Sequence, residues 1–124
     1  MNTESFYKMS YEFQMCNIGQ EVVRAIRRKN KSQDDYAKDY ANIALKFLQI
    51  ILEDSKNQDK RAEIENNIAV LKDYFYDGNK MESTDEGLVT YYDSFCLTHF
   101  SDFEGEHLLS LEEPPRSHLG SWRK

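Results

Sequence analysis

Apolar residues recur along the first two thirds of this chain at steps of three and four, the period of an α-helix with one buried face. In the first segment Phe6, Met9, Phe13, Cys16 and Val23 form the stripe, with Gln20 in one slot and Ile18, Val22 and Ile26 widening it. The spacing predicts one helix from near Thr3 to about Lys29. Gly19 lies inside it at a cost of about 1 kcal/mol relative to Ala, marking a close helix contact or a bend.

A second helix is expected from Ser32, read as an N-cap, with Asp34 and Asp35 in the first turn where the helix dipole favours acids. Tyr36, Ala37, Tyr40, Ala41, Ala44, Phe47, Leu48 and Ile51 share one face. Ile43, Leu45, Ile50 and Leu52 broaden it, as in a helix central to its fold. After a polar break at residues 54–59, Ile64, Ile68, Leu71 and Phe75 form a third stripe, ended by Gly78 and Asn79. Ser83-Thr-Asp-Glu86 matches a capping box and opens a fourth, carrying Leu88, Tyr91, Tyr92, Phe95, Cys96 and His99. Gly87 and the β-favouring run Val89–Tyr92 weaken that signal.

Beyond about Phe100 the helical period stops. Residues 101–124 hold both prolines, two of the five glycines and a short apolar group, Leu108, Leu109 and Leu111, read as a turn or strand packing back on the helices. The expected fold is therefore all-α: an antiparallel four-helix bundle over residues 1–100, followed by an irregular acidic segment and tail over 101–124.

Charge sharpens this picture. The formal net charge is −6. Basic and acidic residues balance up to residue 81, so the excess lies in the last third. One basic run stands out: Arg24, Arg27, Arg28, Lys29 and Lys31. It suits a helix C-terminus, where cations complement the dipole. No aromatic interleaves with these bases and the chain is acidic, which disfavours a nucleic-acid role. The acidic third mixes rings with carboxylates, a composition that anchors and steers a basic protein partner. Tyr91, Tyr92, Phe100 and Phe103 are the expected anchors; Asp93, Asp102, Glu104 and Glu106 are the steering acids. Trp122, near Arg116 and Arg123, reads equally as terminal packing and as a docking anchor.

Candidate chemistry is sparse. Cys96, His99 and His107 with Asp102 and Glu106 approach metal-ligand spacing, but a second Cys or His pair is missing. Cys16 and Cys96 are read as two buried, reduced thiols, which places the chain in the cytoplasm. The richest apolar stretch, 43–52, is too short and too polar to span a membrane. No phosphate loop, nucleophile elbow or metalloprotease histidine pair is present. The expectation is a small acidic, non-enzymatic interaction protein of regulator, inhibitor or immunity type, with no cofactor and no bound metal. The alternative is a helical subunit or homo-oligomer of a larger assembly; a metal protein built on Cys96, His99 and His107 ranks below both.

Overall fold

The computed structural model describes residues 3–99, with side chains from 4 to 97. Within that span the chain is all-helical: α1 (Thr3–Tyr7), α2 (Tyr11–Asn30), α3 (Asp34–Leu52), a 3-10 segment (Ser55–Lys60), α4 (Arg61–Tyr76) and α5 (Asp85–His99). No strand occurs among the described residues. None of their helices is long and apolar enough to cross a membrane. Residues 100–124, which carry Phe100, Asp102, Phe103, Glu104, Glu106, His107 and Trp122, lie outside the described residues, as does the side chain of His99.

The single first helix expected from the stripe is two helices. Ser10 takes an extended backbone and its Oγ accepts a hydrogen bond from the Phe13 N–H at 3.1 Å, starting α2 afresh. The apolar step from Phe6 to Met9 to Phe13 crosses this break unaltered, because α1 folds back against the same core. Phe6 is fully buried, its ring centroid 4.6 Å from that of Phe47 on α3. Gln14, also fully buried, donates from Nε2 to the Phe6 carbonyl at 2.8 Å and accepts from Lys56 Nζ at 3.3 Å. A polar residue is thus kept in the core because both ends of its amide are satisfied.

Two expected caps are also corrected. Ser32 has φ +60° and lies in the turn before α3; Gln33 holds the cap position without a side-chain bond. At α5, Thr84 rather than Ser83 is the cap: its Oγ1 accepts from the Gly87 N–H at 2.9 Å. Ser83 instead exchanges backbone bonds with the Asn79 side chain, at 2.8 and 2.9 Å. Gly78, at φ +85°, ends α4 as expected.

The core is formed by Met15, Ile18, Val22 and Ala25 of α2, Tyr40, Ala44, Leu48 and Ile51 of α3, Ile64 and Leu71 of α4, and Leu88 and Tyr92 of α5. α3 packs on both α2 and α4, and α2 packs on α5, so the wide apolar surface of α3 is central as expected. The two cysteines correct a further expectation. Cys16 and Cys96 are joined as a disulfide with a Cα–Cα distance of 4.8 Å, and no described cysteine is free. Two reduced thiols were the ground for placing the chain in the cytoplasm, and that ground is gone.

Candidate interaction surface

α5 carries the described part of the expected partner surface, and it is fastened to the other helices in three ways. The first is the disulfide to α2. The second is a notch one turn further along α2: a Cβ placed on Gly19 would lie 2.5 Å from Tyr92 Cβ and 2.9 Å from its Cγ. Only a glycine lets the Tyr92 ring seat so close to the α2 backbone. Gly19 therefore marks a close helix contact.

The third is a partly buried polar network spanning α2, α4 and α5. Glu63 of α4 accepts hydrogen bonds from Tyr11 Oη at 2.7 Å on one carboxylate oxygen and from Tyr91 Oη at 2.5 Å on the other. Asn67, one turn along, donates from Nδ2 to Tyr91 Oη at 2.8 Å and to the Glu63 carbonyl at 2.9 Å. Its Oδ1 accepts from the Tyr92 hydroxyl. Tyr91 packs edge-on against Tyr92 and Phe95 at 4.9 and 5.3 Å between centroids, and Tyr11 against Phe95 at 5.9 Å. Burial pushes the phenols of Tyr11, Tyr91 and Tyr92 well above the ordinary tyrosine range, and the Glu63 carboxylate adds to the shift, so all three stay protonated donors.

This arrangement relocates two expected anchors. Tyr92 is 1% exposed and belongs to the core. Tyr91 is half-buried with its hydroxyl committed to Glu63 and Asn67. Neither is available as a protruding ring. Asp93 remains partly exposed, and Leu97, off the buried stripe of α5, is 50% exposed just before the undescribed segment. The sequence reading missed Leu97, although its position off the stripe was the signal. It also missed Tyr11, Glu63 and Asn67. Cys96, spent on the disulfide, supplies no thiolate to a metal with His99 and His107. Among the described residues no group of three or more His, Cys, Asp or Glu side chains could hold a metal ion.

The basic run occupies the last turns of α2, as a helix terminus favours. Tertiary structure supplies the rings that the linear sequence lacks there. The Arg28 guanidinium lies 5.6 Å from the centroid of Tyr36, Lys29 Nζ 4.9 Å from that of Tyr74, and Lys38 Nζ 5.5 Å from that of Tyr76. Arg28 also donates to Gln33 Oε1 at 2.7 Å. Arg24 pairs with Glu21 at 3.1 Å. Glu21 is nearly buried and its Oε1 has no hydrogen-bond partner among the described residues; burial raises its pKa, with Arg24 opposing. Beside Arg27 and Lys31, a groove of about 340 Å³ opens between the end of α2 and the start of α5.

Comparison with known protein families, with curated proteins and with solved structures found no match.

Proposed function

We propose that this chain is a non-enzymatic protein-interaction module of regulator, inhibitor or immunity type, which meets a basic partner through the end of α5 and the acidic, aromatic segment that follows it. The observation that supports this reading is the threefold fastening of α5. Disulfide, glycine notch and polar network fix the helix whose last turn leads into Phe100, Asp102, Phe103, Glu104 and Glu106. A recognition segment rooted on a rigid helix loses less freedom on binding than one rooted on a mobile end. Leu97 and Asp93 take the place of Tyr92 on the α5 side of the contact, and Trp122 is a further anchor. In this reading α2, α3, α4 and α5 form an antiparallel four-helix bundle that serves as the platform.

The test is kinetic. A partner captured by residues 1–124 from the native host is measured against wild type and the variant Asp102→Asn/Glu104→Gln/Glu106→Gln. Association is expected to slow at least tenfold at low salt and to lose most of its salt dependence. Unchanged association rates would remove the mechanism.

A second reading, a subunit of a homo-oligomer or larger assembly, draws on Tyr36, Tyr76 and Met81, which are 40%, 40% and 55% exposed. Light scattering separates the two, since a stable monomer disfavours self-assembly.

A further inference from the structure

The groove between the end of α2 and the start of α5 has an apolar floor and a cationic rim. Val23, Ile26 and Val89 supply the floor; Arg27, Asn30 and Lys31 supply the rim. Asn30 donates to Asp85 at 2.9 Å, tying the two helices together at the end of the groove. An occupant that fits must place apolar side chains beside carboxylates. The undescribed part of this same chain contains that pattern in Leu108, Leu109 and Leu111 followed at once by Glu112 and Glu113.

Geometry decides whether that segment can arrive. Contacts between α2 and α5 run from Cys16 against Cys96, through Gly19 against Tyr92, to Asn30 against Asp85. Numbering thus falls along α5 as it rises along α2, and a chain leaving His99 must turn back along α5 to reach the groove. Val89 stands ten residues before His99, a distance of about 15 Å at the helical rise per residue. Residues 100–107 reach about 26 Å when extended, so Leu108 can sit over Val89 with length to spare.

The geometry points to Leu108–Glu113 of the same chain as the occupant of this groove, with the leucines on Val23, Ile26 and Val89 and the two glutamates against Arg27 and Lys31. The contact covers apolar surface and pairs opposite charges at the edge of the same patch. It leaves Asp102, Glu104 and Glu106 in the connecting stretch, and it stands whether or not that stretch binds a partner.

Methyl nuclear-Overhauser measurements on the disulfide-bonded chain, residues 1–124, test this directly. Contacts are expected between the methyls of Leu108, Leu109 or Leu111 and those of Val23, Ile26 or Val89. They should vanish in Arg27→Glu/Lys31→Glu and return when Glu112→Lys/Glu113→Lys is added. The tail variant Leu108→Asp/Leu111→Asp, which leaves every core residue intact, should shift the Val89 methyls and remove the contacts. Absence of contacts in wild type, failure of the reversed charges to restore them, or contacts seen only between differently labelled copies in a mixed sample would each overturn the assignment.

Discussion

Along α2, the half that begins at Tyr11 and the half that ends at Asn30 hold their neighbours by different means. The first half carries Tyr11, Cys16 and Gly19, which meet α4 and α5 through a carboxylate network, a covalent link and a backbone notch. The second half carries Arg28 and Lys29, which rest on the rings of Tyr36 and Tyr74 at an open, solvated end. In the first, each buried hydroxyl depends on a specific partner, so removal leaves an unsatisfied group out of water. In the second, water can take over the contacts of these two cations. The covalent and close-packed fastenings of α5 thus lie at the first half, while the second half holds α5 by the solvent-facing Asn30–Asp85 bond.

The largest way to break that contrast is covalent. A link between residues 80 apart removes loop entropy from the unfolded chain worth about 4.5 kcal/mol. Reduction with a dithiol is expected to lower the unfolding free energy by that order, and thiol titration of the unreduced protein opened in denaturant should find no free cysteine. Two reactive thiols before reduction would dissolve the distinction between the halves. Next comes Gly19→Ala. The new methyl collides with Tyr92, and overpacking of about 1–3 kcal/mol outweighs a helix-propensity gain of up to about 1 kcal/mol. Urea unfolding should show a net loss of about 1–2 kcal/mol, and a neutral or stabilised variant would mean the notch is not tight.

Glu21 sharpens the comparison through pH. Its pKa is raised in the folded state, chiefly by burial, so the folded protein holds this proton more firmly than the unfolded chain. Its contribution to stability is fully present below the ordinary carboxylate pKa and is lost as pH rises through the folded value. Glu21→Gln should abolish that decline and raise stability at neutral pH relative to wild type, with parallel pH profiles counting against it. The smallest effect is expected from Arg28→Ala. It removes a partly exposed cation–ring contact and a hydrogen bond to Gln33, and should cost less than about 1 kcal/mol in thermal unfolding.

Helical period made most of the fold legible. It identified the central face of α3 and the stop at Gly78, because both depend on local chemistry. It failed at Ser10, where the apolar step carries across a chain break. The available signal there is a serine with Glu12 in the turn that follows, the same kind of cue that Ser32 offers with Asp34 and Asp35. At Ser83 the motif was displaced by one residue, since the Asn79 side chain takes up the Ser83 backbone and leaves Thr84 to cap. The site was less legible. Asn67 stands in the slot between Ile64 and Leu71 that an apolar stripe would fill, and its role emerges only when Tyr91 and Tyr92 arrive from another helix. Two cysteines allow one pairing, but whether they pair depends on how α2 and α5 meet, which no local pattern records.

The turn between α4 and α5 is organised by one side chain of α4. Asp73 is nearly buried, and its carboxylate receives the backbone N–H groups of Lys80 and Met81 at 2.8 and 2.9 Å, while its carbonyl receives that of Asn79 at 2.8 Å. The turn is thus closed within nine residues, where the entropy of closure is small. The exit from α4 is therefore written into α4 itself, so the course the chain takes toward α5 does not wait on any distant contact.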